Sequence, residues 1–137
     1  MIRYSGETDL TRLLASMEPR LNPGRYVFCR QPDDPPIPAD KLIGLFREDE
    51  GLTIIMEKKE ADALGLAYDY VAAWITLTVH SSLEAVGLTA AFASALAEGG
   101  VSCNVAAALC HDHVFVAADQ ADKALAILTD LARRSKD

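Results

Sequence analysis

An α+β fold of two tandem units with antiparallel sheets is predicted by three features of this 137-residue sequence. The second half reads strand, helix, strand, strand, helix. The first half carries part of that order in blurred form. Half of the residues are hydrophobic and 24% are charged, enough apolar material for a packed core and no sign of a disordered chain. The expected division is residues 1–67 and 68–137, joined through a short stretch near Gly65–Tyr70 whose composition is not that of a flexible linker.

Thr8 or Asp9 opens a short helix with Leu10, Leu13, Leu14 and Met17 on one side, closed by Pro19 and Pro23-Gly24. Arg25–Arg30 reads as a strand. The segment QPDDPPIP that follows supports neither helix nor central strand. Two strands near Ile43–Arg47 and Leu52–Glu57 flank the turn EDEG, and Glu60–Leu64 makes one helical turn. In VAAWITLTV, Ala73, Ile75, Leu77 and Val79 alternate with Trp74, Thr76 and Thr78, the pattern of a half-buried strand. Leu88, Ala91, Phe92, Ala95, Leu96 and Gly99 form a helical stripe that ends at Gly99-Gly100. Val101–Leu109 is strand-like, with Val101, Cys103, Val105, Ala107 and Leu109 in phase. Cys110–His113 is expected to turn the chain, with Asp112 suited to the turn. Val114–Val116 returns as a strand, and Asp119 caps a last helix along Ala121, Ala124, Leu125, Leu128 and Leu131.

LTRLLASM (10–17) precedes LTAAFASA (88–95) by 78 positions, and the strands at 25–30 and 103–108 keep that offset. Strand–helix–strand–strand–helix taken twice predicts two ferredoxin-like units of βαββαβ type. The second unit then lacks its last strand, for which Met1–Tyr4 is the candidate.

A net charge of −7 without a basic patch excludes nucleic acid as an expected partner. No apolar run reaches the length of a bilayer span. The opening MIRYSGETDL has no signal core, and a cytoplasmic location is expected. Cys29, Cys103 and Cys110, at unrelated spacings, fit small buried thiols in a reducing compartment.

The loop HSSLEAVG supports two readings. Ser81-x-x-Glu84 fits a capping box, which would start the helix at the serines. Gly87 would then fall inside the helix at a cost of about 1 kcal/mol relative to alanine, so a helix start near Gly87 is preferred. That start leaves the amides of about Gly87–Ala90 for a carboxylate, and Ser81, Ser82 and Glu84 for an ammonium group. A zwitterionic amino acid matches both poles. Asn104 points away from the apolar face of its strand and serves either a ligand or an ordinary edge. Cys103, Cys110, His111 and His113 match no zinc spacing, and no nucleotide-binding or nucleophile motif is present, so no catalytic residue, metal or cofactor is assigned.

WITLTVHSSLEAVGLTAAFASALAEGGVSCNV followed by HDHVFVA resembles an ACT domain, the small module that binds amino acids. With Pro23–Phe28 (PGRYVF) and Phe46–Thr53 (FREDEGLT), the whole chain resembles small bacterial proteins of two tandem ACT-like units, related to the ACT pairs of animal arginine-sensing proteins. The resemblance implies a regulatory, non-enzymatic protein, with ligand held between the strand-to-helix loop of one unit and the sheet edge of another; the matching positions are His80–Leu88 for the loop and Cys103–Ala106 for the facing strand. The expected ligand contacts are Ser81, Ser82, Glu84, Val86, Gly87, Leu88, Cys103, Asn104 and Val105. The expected partners are a small amino acid or related metabolite and a second copy of the chain. The alternatives are an assembly module without a ligand and a small Cys/His metal protein or enzyme.

Overall fold

The computed structural model describes residues 9–79 and 83–136. They form two compact units that do not follow chain order. Unit 1 draws on Met1–Asn22 and Ala73–Asp137, and unit 2 is Pro23–Ala72.

In unit 1 the alternating stretch becomes strand β5 (Val71–Thr78), and Ala73, Ile75, Leu77 and Val79 are buried in one cluster. Helix α3 (Leu88–Glu98) adds Leu88, Phe92 and Leu96 to that cluster, as its stripe predicts. The chain leaves α3 through Gly100, left-handed at φ +79, whose N–H donates to the carbonyl of Ala97 at 2.9 Å. Strands β6 (Cys103–Ala107) and β7 (Asp112–Ala117) form an antiparallel hairpin, with Cys103 opposite Val116 and Ala107 opposite Asp112. Helix α4 (Ala121–Arg134) follows a 3-10 turn at Ala118–Gln120 and buries Ala124, Leu128 and Ala132. Asp119 therefore lies in the turn before the helix, and Gln120 takes the cap position that the sequence reading gave to Asp119.

The first segment of the chain completes this unit. Helix α1 (Leu10–Ser16) is capped by Asp9, whose side chain accepts from the Arg12 amide at 3.0 Å. It places Leu13 and Met17 in the cluster built by β5, α3 and α4. Strand β1 (Glu18–Leu21) then pairs antiparallel with β5, Glu18 opposite Thr78 and Leu21 opposite Ile75. The strand order of the unit is β1-β5-β7-β6. Met1–Tyr4, the expected closing strand, lies outside the described residues, and the place beside β5 is filled by Glu18–Leu21. Pro19 is compatible with that place because β1 is an edge strand, where a missing N–H interrupts no ladder.

In unit 2, β2 (Tyr26–Arg30), β3 (Gly44–Glu48) and β4 (Gly51–Glu57) run antiparallel in the order β3-β4-β2, and Val71 and Ala72 pair with Val27 and Tyr26. Helix α2 (Lys58–Ala63) buries Ala61 among Val27, Cys29, Ile37, Ile54 and Met56. The position of a first helix is taken by the proline loop, with a 3-10 turn at Ala39–Lys41. The Gln31 side chain holds this loop, donating to the Ile37 carbonyl at 2.9 Å and accepting from the Ile37 amide at 3.0 Å.

Two ferredoxin-like units are present as the fold class predicts, but their division is not the expected 1–67 and 68–137, because residues up to Asn22 pack with the second half, and the 78-residue register is not theirs. Arg25–Arg30 supplies a strand with neighbours on both sides, whereas Cys103–Ala107 is an edge strand. The helix in LTRLLASM packs in unit 1 and has no place in unit 2. In that register the buried Leu13 and Met17 stand opposite Ala91 and Ala95, whereas α3 buries Leu88, Phe92 and Leu96, so the two stripes are out of phase.

Candidate functional site

The chain leaves β5 into the loop before α3, whose first residues, including Ser81 and Ser82, lie outside the described residues. Gly87 is the N-cap of α3 at φ +98 and ψ −13, left-handed, with the helix proper starting at Leu88. The helix start preferred from the sequence is the one observed, and its backbone calls for glycine. The Ala91 amide donates to the Gly87 carbonyl at 2.9 Å. Earlier amides of the first turn have no acceptor within the helix, and Gly87 brings no side chain to cap them.

Glu84 is exposed and Val86 is 84% exposed. Leu88 is buried, so only its backbone faces the loop. The space left by the missing Gly87 side chain is used by the protein itself: a Cβ there would stand 3.1 Å from Leu10 Cδ2 of α1. On β6, Cys103 packs against the core and burial pushes its thiol pKa up. Asn104 is exposed, and Val105 is more exposed than its in-phase position predicts. Glu84, Val86 and Gly87 thus share the loop entering α3, and Cys103, Asn104 and Val105 share the edge strand leaving it.

The hairpin differs from expectation in a way that places two titratable groups. The turn closes earlier, with the Ala108 amide donating to the His111 carbonyl at 3.0 Å. Asp112 therefore begins β7 as a buried residue, and burial raises its carboxyl pKa while the nearby His111 lowers it. His113 lies within β7 beside Trp74 and Thr76 of β5. Trp74 Nε1 donates to His113 Nδ1 at 3.0 Å, and Asn22 Nδ2 donates to Thr76 Oγ1 at 2.9 Å. Sequence alternation put Trp74 and Thr76 on one face of β5, but His113, read as a turn residue, could not be joined to them. Among the described residues no group of three or more His, Cys, Asp or Glu side chains is placed to hold a metal.

Burial, then the charges of His111 and Arg20, hold the His113 pKa below its usual 6.5. A base whose pKa falls on folding adds stability that is present above pH 6.5 and lost as the pH drops from there through the folded value. The Trp74 hydrogen bond to Nδ1 favours the same neutral ring. Trp74→Phe is expected to raise the His113 pKa toward 6.5, measured by following its ring protons through an NMR pH titration.

The chain belongs to the ACT domain family: one ACT domain model matches residues 5–73 and another matches residues 70–130. ACT domains are typically regulatory units that bind small molecules, amino acids among them. A solved Vibrio cholerae protein, described as of unknown function and as a possible transport protein, is 47% identical over 90% of this chain and 95% of its own, with a TM-score of 0.78. An Agrobacterium tumefaciens protein is 19% identical over 85% of this chain and 89% of its own, TM-score 0.62. The ligand-free regulatory subunit of aspartate kinase from Thermus thermophilus shares the fold at 14% identity, TM-score 0.58, over 86% of this chain and 97% of its own. No curated protein matches the chain. Among the described residues no helix is long and apolar enough to cross a membrane.

Proposed function

We propose that this chain is a cytoplasmic, non-enzymatic regulatory protein whose C-terminal ACT unit binds a small amino acid at the loop entering α3. Glu84, with Ser81 and Ser82, takes the ammonium group; the amides following Gly87 take the carboxylate; Val86 and the edge Cys103–Val105 border the ligand. The observation that carries this reading is the left-handed Gly87 cap, which starts α3 with no side chain of its own to accept from the first amides.

A ligand at 100-fold its dissociation constant adds about 2.7 kcal/mol, which raises Tm by about 10 °C in a chain of this length. Thermal-shift measurements against the twenty amino acids should show such a rise for a small subset, and Glu84→Gln should diminish it. A second reading, an assembly module without a ligand, draws on the edge strand β6, where Val105 is 37% exposed and nearby Leu109 is 54% exposed. It is the better reading if no amino acid shifts Tm at millimolar concentration while light scattering shows a homodimer.

A further inference from the structure

Unit 2 carries a cleft that the amino-acid site does not use. It lies between the proline loop and α2, is floored by Met56 of β4, and encloses about 590 Å³. Small-molecule sites typically enclose about 300–1,000 Å³. Pro32, Pro35, Pro36 and Pro38 form one wall, and Ala63 and Leu64 stand on the other. The loop is held open by its own chemistry: proline rings fix the backbone, and Gln31 ties both polar groups of Ile37. The cleft is therefore preformed, and its interior is apolar.

Its rim is charged and out of balance. Lys41 Nζ lies 3.1 Å from Glu60 Oε1, joining the 3-10 turn to α2 across the mouth, and Asp34 also lines the cleft. Of the residues that line the cleft, Asp34 and Glu60 are acidic and Lys41 alone is basic. Lys41 and Glu60 are both substantially exposed, so an arriving charge exchanges with this pair at little cost. A ligand ammonium group takes the place of Lys41 at Glu60, with Asp34 as a second acidic residue on the lining. A ligand carboxylate has Lys41 alone and two like charges beside it.

From this geometry we propose a second binding site in unit 2, for a small compound with an apolar body and a primary ammonium head. An apolar amine and an apolar α-amino acid share that chemistry. The site shares no residue with the loop entering α3 and does not rest on its occupancy.

Three probes of one carbon skeleton separate the sources: 3-methylbutylamine, leucine and 4-methylpentanoate. Each is titrated into the full chain carrying labelled Ile, Leu, Val and Met methyl groups. The amine is expected to give saturable shifts at Ile37, Met56, Leu64 and Leu66, and the carboxylate none. Shifts with leucine as well would identify the ligand as an amino acid held by its ammonium, and shifts with the amine alone would identify it as an amine. Glu60→Gln should weaken amine binding about tenfold, and Ala63→Trp should abolish it by filling the cleft. Methyl spectra of the free variants report whether each folds, and Glu60→Gln carries the test if Ala63→Trp does not. The proposal is overturned if no probe binds at millimolar concentration, if 4-methylpentanoate binds as tightly as the amine, or if Glu60→Gln leaves the amine affinity unchanged. It is equally overturned if the shifts fall only at Val86, Leu88 and Val105. That pattern would leave the C-terminal site standing, whereas shifts in unit 2 alone would leave this one.

Discussion

Replacing Leu13 by Ala is expected to destabilise the protein by about 2–5 kcal/mol, and to do so through the C-terminal half of the chain. Leu13 is 0% exposed and sits in the cluster of Ile75, Leu77, Phe92, Leu96, Val114 and Leu128. Its helix packs against both α3 and α4. Truncation removes buried methyl groups and leaves a cavity where three helices meet one sheet face, a place that can close only partly. Urea unfolding gives the total loss, and amide hydrogen exchange locates it. Protection should fall in β5 and β7 as much as in α1. If β7 kept its protection while α1 exchanged freely, α1 would be an attached segment and unit 1 would stand without it. Leu14, half-buried at the margin of the same cluster, should cost less on truncation to Ala.

What the sequence made legible followed from contrast between two faces. β5 alternates core and non-core residues, α3 and α4 each carry one apolar stripe, and their inward residues were read in place except Ala132 of α4. The strand Glu18–Leu21 offers no such contrast. It has four residues, one a proline, with only Pro19 and Leu21 half-buried, and its pairing partner is a remote part of the chain. Local pattern found α1 as a helix but could not show whose core Leu13 and Met17 enter. In QPDDPPIP the prolines ruled out a helix correctly. That they wall a cleft depends on the Gln31–Ile37 clamp and on α2, neither of which composition encodes. Asp112 and His113 were misplaced because Asp beside His reads as a turn, while the turn itself closes at Ala108–His111. At the candidate site Gly87 was legible because a glycine immediately before an apolar stripe has few other uses. The contact with Leu10 was not, since it is made by the unit's distant first segment.

Gly87→Ala is expected to cost about 1–3 kcal/mol with no ligand present. Part of that cost is backbone strain: at φ +98 an L side chain crowds its own carbonyl, whatever the surroundings. The other part is the Leu10 methyl, 3.1 Å from the new Cβ, which must give way. A double-mutant cycle with Leu10→Ala separates them, because the backbone term is the same in both backgrounds while the contact exists in only one. Chemical unfolding of the four proteins should show the glycine substitution costing less when Leu10 is already replaced; strict additivity would mean the contact contributes nothing. The cycle also decides how a binding result is to be interpreted. If Gly87→Ala weakened amino-acid binding only by displacing α1, removing the Leu10 contact would restore the affinity. If the introduced methyl itself obstructs a carboxylate at the first amides of α3, affinity stays low in the double mutant and is retained in Leu10→Ala alone. The first outcome makes Gly87 a packing residue, and the second makes it part of the ligand site.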